Sequence, residues 1–192
     1  MHDTGYRQLM EQKLGQRARV IWLTGLPCSG KTTLGMGLHT ALLERGYAVR
    51  LLDGDITRKG LCRDLGFSPA DREENIRRVA ELSKLFADSG FITINAFITP
   101  TEALRQLAGE IIGAEDMVNV YVNAPLEVCE NRDVKGMYRK ARQGIISEFT
   151  GVTAPFEVPL HPDIEIDTTN TDPEKNTAEL LQFILPLIRI QA

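Results

Sequence analysis

The stretch Gly25-Leu-Pro-Cys-Ser-Gly-Lys-Thr32 decides the fold, because it matches the phosphate-binding motif G-x-x-x-x-G-K-[ST] at every fixed position. The run RVIWLT at 19–24 precedes it and predicts a buried strand, since β-branched and aromatic residues favour extended backbone. Three leucines recur at helical spacing over residues 31–45 and predict a helix. A strand, a glycine-rich turn and a helix in this order predict a loop that wraps a phosphate at a helix N-terminus.

The residue types in this turn suit a nucleoside triphosphate. Gly25 and Gly30 let the backbone turn tightly, so that successive N–H groups point at phosphate oxygens. Lys31 is the expected catalytic cation, and the hydroxyl of Thr32 is an expected Mg²⁺ ligand together with Asp53. We therefore predict ATP and Mg²⁺ as cofactors. The predicted ATP-binding residues are Gly25, Leu26, Pro27, Cys28, Ser29, Gly30, Lys31, Thr32, Thr33 and Arg132. At Cys28 we expect only the backbone to matter, although a redox role is an alternative.

Two carboxylates, Asp53 and Asp55, follow a second apolar run at 48–53. In an open α/β sheet, ligands bind at the carboxyl ends of the strands, so these carboxylates are candidates for holding Mg²⁺ or orienting an attacking hydroxyl. We favour this interpretation over the alternative of a plain capped turn, for which Asp-Gly-Asp is also suitable.

The rest of the chain alternates apolar runs with helical patterns. Further strands are predicted at 91–98, 117–122 and 164–166, and helices at 71–89, 101–112, 125–131 and 173–188. This alternation predicts an α/β fold, a parallel sheet of about five strands with helices on both faces. Residues 1–18 are expected to be an N-terminal arm and 19–192 a single domain. Residues from about 132 to 153 are rich in glycine and charge without clear periodicity, which favours a mobile lid.

Composition excludes several classes of function. The chain has 192 residues, a net charge of −4 and three separated cysteines. An acidic chain argues against nucleic acid or an anionic membrane as a partner. The cysteine spacing fits neither a disulfide framework nor a zinc site. With no apolar signal-peptide core and no run long enough to span a membrane, we expect a cytoplasmic protein.

Two basic clusters flank the phosphate-binding turn. A solvated helix face is the usual explanation of such charges, but two clusters that flank a phosphate loop fit better with clamping a second anionic ligand and neutralising the transferred phosphoryl group. The aromatic residues Phe67 and Phe149 lie among them and could stack on a base or belong to the core. The cluster members are Arg58, Lys59, Arg63, Arg72, Arg77 and Arg78 in the first and Arg132, Lys135, Arg139, Lys140 and Arg142 in the second.

Three further blocks give the chain a specific resemblance. They are DGDITRKGLCRDLGFSPADREENIRR at 53–78, PLEVCENRDVKGMYRKARQG at 125–144 and EFTGVTAPFEVP at 148–159. Together with the phosphate-binding turn, they resemble the adenylylsulfate kinase (APS kinase) family from Val20 to about Pro162. Since the turn alone is shared by many enzymes, the second and third blocks carry the specificity.

The resemblance implies an ATP-dependent kinase that phosphorylates the 3′-hydroxyl of adenosine 5′-phosphosulfate (APS) in sulfate assimilation. It implies that Asp55 faces this hydroxyl, that Phe67 and Phe149 sandwich the adenine, and that Lys135 reaches in from the lid. It also suggests a homodimer and a functional link to an ATP sulfurylase. The implied substrate-binding residues are Asp55, Arg58, Phe67, Arg72, Asn75, Ile98, Lys135 and Phe149.

Some positions depart from the family pattern, among them Pro27-Cys28, Ile56, Lys59 and Ile145. Thr99 replaces the serine that the family labels as a phosphorylated intermediate. We expect instead a direct transfer, with Thr99 as the N-cap of the following helix, since Thr-Pro is a common helix start.

The departures leave room for a kinase acting on another small nucleotide anhydride. A nucleotide-binding regulatory module and a GTPase are further alternatives; Asp133-Val-Lys-Gly136 matches the D-x-x-G element of GTPases, but the chain has no N-K-x-D motif.

Overall fold

Five strands and eight helices alternate along the chain in a computed structural model that describes residues 3–190. Residues 1, 2, 191 and 192, which the predicted arm and domain include, lie outside this range. The strands are β1 (Val20–Thr24), β2 (Val49–Asp53), β3 (Ile92–Ala96), β4 (Met117–Asn123) and β5 (Ile164–Asp167). The helices are α1 (Asp3–Leu14), α2 (Lys31–Leu43), α3 (Gly54–Thr57), α4 (Pro69–Asp88), α5 (Glu102–Ile112), α6 (Leu126–Arg132), α7 (Met137–Arg142) and α8 (Pro173–Ile188).

The strands form one parallel sheet in the order β2-β3-β1-β4-β5. The predicted α/β class and number of strands are therefore confirmed. The first strand lies in the centre, so the chain reverses its direction of winding there. Ligands bind to such sheets outside the carboxyl ends of the strands, at this reversal point. The loop that follows β1 occupies that position.

The hydrophobic core covers both faces of the sheet. In β1, Ile21 and Leu23 pack with α2 and α8, whereas Val20 and Trp22 pack with α4 and α5. Successive side chains of a strand point to opposite faces, so a strand buried on both faces is apolar throughout. This is why the run at 19–24 carries no alternation of polar and apolar residues.

The N-terminal helix α1 is anchored to the domain. The Arg7 guanidinium pairs with Asp116, with its Nη2 atom 2.7 Å from the carboxylate, and also donates to Glu11. After α1, the buried side chain of Gln16 donates to the carbonyl groups of Ala48 and Gly90. The segment before β1 is therefore a packed part of the fold, and its hydrogen bonds link the start of β2 to the end of α4.

Two local predictions were wrong. The segment expected to lack regular structure contains α7, whose first backbone N–H groups, those of Tyr138 and Arg139, donate to the Asp133 carboxylate at 3.0 Å. The N-cap of α5 is Thr101, whose hydroxyl accepts from the Leu104 N–H, and not Thr99. In both cases the side chain of a short polar residue accepts from N–H groups in the first turn of a helix, from a position that spacing alone does not single out. Within residues 3–190, none of the helices is both long and apolar enough to cross a membrane.

Candidate active site

A cavity of about 690 Å³ opens at the carboxyl ends of the central strands. It brings together most of the residues predicted for the site, although these run from Pro27 to Phe149 in the chain. The predicted residues that line it are Pro27, Cys28, Gly30, Lys31, Thr32, Thr33, Asp53, Asp55, Arg58, Phe67, Arg72, Asn75, Ile98, Thr99, Arg132, Lys135 and Phe149. We call the part formed by residues 27–33 the donor half, and the part formed by Arg58, Phe67, Arg72, Asn75, Phe149 and the chain after β3 the acceptor half.

Three residues predicted to bind ATP, Gly25, Leu26 and Ser29, lie behind the cavity lining. A Cβ atom at Gly25 would stand 2.4 Å from the Val122 carbonyl oxygen, so only glycine fits there. The side chain of Ser29 is fully buried. Among the described residues, these three shape the loop from behind, and the neighbours Pro27, Cys28 and Gly30 face the cavity.

The sequence predicts only part of the backbone conformation of the phosphate-binding loop. Gly30, at the N-cap of α2, has φ of +100°. Cys28 has φ of +61°, a left-handed conformation that is uncommon for a residue with a side chain. The Cys28 carbonyl accepts a hydrogen bond from Arg132 at 3.4 Å. Arg132 therefore ties the loop to the end of α6.

Lys31 lies under this loop and is nearly inaccessible to solvent. Its Nζ atom donates to the carbonyl oxygens of Gly25 at 2.9 Å and Leu26 at 2.6 Å. Burial lowers the pKa of Lys31 from 10.5 to about 8, because the charged ammonium is costly away from water. The loop thus holds a cation whose protonation depends on pH in the neutral to alkaline range.

Asp53 joins the donor half to the acceptor half through its two carboxylate oxygens. One oxygen accepts from the Thr32 hydroxyl at 2.8 Å, and the other accepts from the Asp55 N–H at 2.9 Å, which caps α3. Asp53 is therefore both the carboxylate predicted to be functional and the residue that caps the turn. The hydroxyl and carboxylate oxygens of Thr32 and Asp53 are hard donors of the kind that Mg²⁺ takes beside phosphate oxygens, so the pair fits this ion.

Asp55 is exposed and meets a lysine from across the cavity. Its carboxylate pairs with the ammonium of Lys135, which lies 80 residues later between α6 and α7. The hydrogen bond to Asp55 raises the pKa of Lys135, so the lysine stays charged. Tyr138, at the start of α7, donates to the Pro27 carbonyl at 3.0 Å. The segment 132–153 thus reaches over both halves of the cavity.

The acceptor half combines aromatic rings with cations. The guanidinium of Arg58 lies over the Phe67 ring, 4.5 Å from its centre, and Arg72 lies 5.9 Å from the same centre. Arg72 also donates to the carbonyl oxygens of Phe67 and Glu148, which joins α4 to the lid segment. Phe149 packs edge-on against Tyr138, with ring centres 4.9 Å apart. Two rings and two cations therefore face one space, the arrangement expected around an anionic nucleotide.

Asn75 supplies an unused acceptor to this space. The residue is buried on α4, and its Oδ1 atom has no hydrogen-bond partner within the described part of the chain. An unpaired buried polar atom is costly, and one that lines a cavity indicates a ligand that donates to it.

Most residues of the two predicted basic clusters do not line the cavity. Arg77 and Arg78 pair with Glu74, Arg78 also pairs with Asp64, and Arg142 pairs with Glu130. For these arginines the anion-clamp hypothesis is wrong, because helical and nearby carboxylates already neutralise them. The members of the two clusters that do line the cavity are Arg58, Arg72, Arg132 and Lys135.

The sequence analysis missed one wall of the donor half. The loop after β5 contributes Thr168 and Thr171, and the first turn of α8 contributes Pro173 and Asn176. Thr168 donates to the Ser29 carbonyl at 2.7 Å, and its own carbonyl accepts from Arg132. The signal was available, since Thr168 directly follows β5 and so lies at the same edge of the sheet as the phosphate-binding loop.

The family comparison agrees with this geometry. The family model described as adenylylsulphate kinase matches residues 17–167, which include every predicted site residue. The chain belongs to the adenylylsulphate kinase family.

Individual relatives of this family support the assignment. The chain is 52% identical to the adenylyl-sulfate kinases of Phocaeicola vulgatus and Bacteroides thetaiotaomicron, in each case over 95% of its length and about nine-tenths of theirs. Among solved structures, it is similar to the Mycobacterium tuberculosis APS kinase CysC in complex with AMPPNP and APS. That match has a TM-score of 0.84 and 38% identity, and covers 88% of this chain and 98% of the other. The protein is therefore a kinase, and the GTPase alternative is wrong.

Proposed function

We propose that the protein transfers the γ-phosphoryl group of ATP to the 3′-hydroxyl of APS, which yields 3′-phosphoadenylyl sulfate and ADP. The observation that carries this proposal is the two-part cavity, in which Asp53 and Asp55 stand between a phosphate-binding loop and a cationic, aromatic pocket. The similar Mycobacterium tuberculosis enzyme binds an ATP analogue together with APS. A cavity with one place for a donor and one for an anionic nucleotide suits the same pair of ligands.

In the donor half, the loop N–H groups and the N-terminus of α2 would hold the β- and γ-phosphates. Lys31 would leave its carbonyl partners and follow the γ-phosphoryl group, where its charge stabilises the transition state. Thr32 and Asp53 would hold Mg²⁺, which supplies charge neutralisation for the phosphates. The wall formed by Thr168, Thr171, Pro173 and Asn176 would contact the donor nucleoside.

In the acceptor half, Phe67 and Phe149 would stack on the adenine of APS. Arg58 and Arg72 would neutralise its phosphosulfate, with Lys135 closing from the lid segment 132–153. The unpaired Oδ1 atom of Asn75 would accept a hydrogen bond from the nucleotide. Ile98 would supply apolar contact at the end of β3. Binding of the acceptor would then complete a lid that already touches both halves.

The transfer step requires an activated 3′-oxygen in line with the γ-phosphorus. Asp55 would orient this hydroxyl and take its proton while the oxygen forms a bond to phosphorus. The bond from the γ-phosphorus to the β–γ bridging oxygen breaks, and ADP leaves with the electron pair. Lys135, which pairs with Asp55, would be displaced toward the phosphoryl oxygens.

We infer that this transfer is direct and does not pass through Thr99. The Thr99 hydroxyl is buried and its oxygen accepts a hydrogen bond from Trp22 at 2.9 Å, which makes that oxygen a poorer nucleophile. We expect Thr99→Ala to retain at least about a tenth of turnover at saturating APS. Loss of all activity in a folded variant, or phosphothreonine at this position during turnover, would show that the transfer is covalent.

We further propose a cytoplasmic homodimer that binds neither nucleic acid nor membrane and that is functionally linked to an ATP sulfurylase. The net charge of −4 supports the exclusion of nucleic acid, and the family resemblance supports the dimer. Light scattering on the purified protein tests the dimer directly.

The decisive experiment offers several acceptors in parallel. ADP release is measured with ATP and Mg²⁺ in the presence of APS, AMP, CMP or shikimate. We expect rapid release with APS alone. Equal release with AMP would show that the sulfate is not recognised, and release with another acceptor only would overturn the proposal. Two alternatives are a kinase that acts on a different nucleotide anhydride, for which the departures at Ile56 and Ile145 leave room, and a regulatory module. Either one would appear as no ADP release with any of the four acceptors.

A further inference from the structure

Thr99 adopts a strained backbone conformation that two buried side chains stabilise. Its φ is +43°, a value that β-branched residues rarely take. The indole Nε1–H of Trp22 in β1 donates to its hydroxyl at 2.9 Å. The Nη1 atom of Arg105 in α5 donates to its carbonyl oxygen at 3.0 Å. Strained residues persist where the surroundings fix them, and here a strand and a helix fix the same residue from two sides.

The strained residue lies in the wall of the acceptor half. We call residues 97–100 the acceptor wall, because Phe97, Ile98, Thr99 and Pro100 all line the cavity. Phe97 stacks on Trp22 with ring centres 5.8 Å apart. The Ile98 carbonyl accepts from the Gly25 N–H at the start of the phosphate-binding loop. The direction in which this wall faces therefore depends on the conformation of Thr99.

We propose that Trp22 and Arg105 are positioning residues for the acceptor nucleotide, which act through Thr99 and without touching the substrate themselves. By holding Thr99 in its left-handed conformation, they fix the acceptor wall in the shape that meets APS. Preformed walls raise affinity because binding does not have to order them. The loss of either hydrogen bond should therefore weaken binding of the acceptor and leave binding of ATP unchanged. This inference rests on the proposed function in that the acceptor used is APS.

Trp22 also allows its contacts with Thr99 and the acceptor wall to be followed by fluorescence. It is the only tryptophan in the chain, it is fully buried, and it contacts two members of the acceptor wall. Intrinsic tryptophan emission therefore comes from one residue that contacts the acceptor wall. We expect the emission to change when APS is added and to stay constant when ADP is added. Thr99→Val, which keeps the β-branch and removes the hydroxyl, should shift the emission to shorter wavelength because the indole N–H loses its partner.

The central test is a double-mutant cycle on the KM for APS at saturating ATP. Trp22→Phe removes the N–H and keeps an aromatic ring, and Thr99→Val removes its acceptor. Each is expected to raise the KM for APS about three- to tenfold, the size of one hydrogen bond, with the KM for ATP unchanged and kcat within about twofold. Since both variants break the same bond, the double variant should have the KM of a single one. Additive increases would overturn the role of Trp22.

Arg105 is tested against a matched control on its own helix. Arg105→Met removes the bond to Thr99, and Glu102→Gln weakens the ion pair between Arg105 and Glu102 while it leaves that bond intact. We expect about a tenfold higher KM for APS in Arg105→Met only. Equal increases in both variants would mean that the ion pair merely stabilises α5. If Arg105→Met does not fold, Arg105→Lys, which can still reach the carbonyl oxygen, should keep a nearly normal KM, and a tenfold increase there would contradict the proposal.

Failure of this inference is distinguishable from failure of the proposed function. Release of ADP by the unmodified protein with APS tests the function. The emission shift of Thr99→Val without any substrate tests the contact between Thr99 and Trp22, and the absence of a shift would overturn the assembly whatever the acceptor is.

Discussion

The two halves of the active site differ in how their residues are held. In the donor half, Lys31 is 8% exposed and bonded to two backbone carbonyls, and Thr32 is bonded to Asp53. In the acceptor half, Phe67 is 57% exposed, and in the Asp55–Lys135 pair beside it the side chains are 66% and 64% exposed. The donor half is thus built into the core, whereas the acceptor half joins a buried wall, with Asn75 and Thr99, to exposed side chains on surface segments. A site of this kind should bind ATP with little rearrangement and should depend on lid contacts for the second substrate.

Loss of the buried cation should have the largest effect of all. Lys31→Ala is expected to lower kcat about 10³–10⁵-fold, because the charge that stabilises the transferring phosphoryl group disappears. Steady-state ADP release checks this. The matched control is Lys59→Ala, an exposed lysine outside the residues that line the cavity, which should keep normal turnover. Near-normal turnover of Lys31→Ala would contradict the assignment of the donor half as the ATP site.

The boundary between the two halves is tested by its two carboxylates. Asp55→Asn should lower kcat about 10²–10⁴-fold, the usual contribution of a general base, while the affinity for ATP hardly changes. Asp53→Asn should instead weaken the Mg²⁺-dependent binding of ATP, since it removes the negative charge of the carboxylate that pairs with Thr32. If Asp53→Asn lowers kcat far more than Asp55→Asn, the two roles are reversed.

Stacking of the adenine on Phe67 in the acceptor half predicts that loss of this ring lowers the affinity for APS selectively. Phe67→Ala should raise the KM for APS about ten- to a hundredfold, because stacking of a base on an aromatic side chain contributes about 1–3 kcal/mol. The KM for ATP should stay the same. Leu85→Ala, at an exposed apolar residue on α4, is the control for a general effect of surface truncation. An equal rise in both KM values would show that Phe67 acts as a packing residue for both halves.

The smallest expected effect is the uptake of a proton by Lys31 when ATP binds to the donor half. With a pKa of about 8, Lys31 is about one quarter protonated at pH 8.5, whereas the triphosphate should raise its pKa enough to protonate it almost fully. Binding of ATP should therefore take up about 0.7 proton at pH 8.5, and almost none at pH 6.5. Calorimetry in two buffers of different ionisation enthalpy measures this uptake. Lys31→Arg, which stays charged, should bind ATP without it; uptake in that variant would assign the proton to another group.

The same linkage gives a dependence of stability on pH. The pKa of Lys31 in the folded protein lies below its unfolded value of 10.5, so the unfolded chain binds more protons between about pH 8 and 10.5. The contribution of this one residue to the free energy of unfolding must therefore rise with pH across that window. Denaturant unfolding of the protein and of Lys31→Met at pH 8 and pH 10 isolates that contribution by difference.

The sequence by itself determined the phosphate-binding loop of the donor half, because the chemistry of this loop is local. The residues from Gly25 to Thr32 are contiguous, and a strand, a tight turn and a helix N-terminus follow from their order. The acceptor half was found through the resemblance of longer blocks, and the structure then placed those residues around one cavity. Tertiary structure alone showed which arginines are neutralised by carboxylates, such as Arg78 by Asp64, since ion pairs across a turn leave no periodic signal.

Thr99 marks the limit of inference from sequence most clearly. The dipeptide Thr99-Pro100 predicted an N-cap from local propensity, which is correct for many such pairs. In the fold, Trp22 and Arg105 hold Thr99 in a left-handed conformation, and Thr101 caps the helix instead. Trp22 lies 77 residues before Thr99 and meets it only because β1 and β3 are neighbours in the sheet. Local propensities amount to a few tenths of a kcal/mol up to about 1 kcal/mol, so two buried hydrogen bonds from distant elements outweigh them.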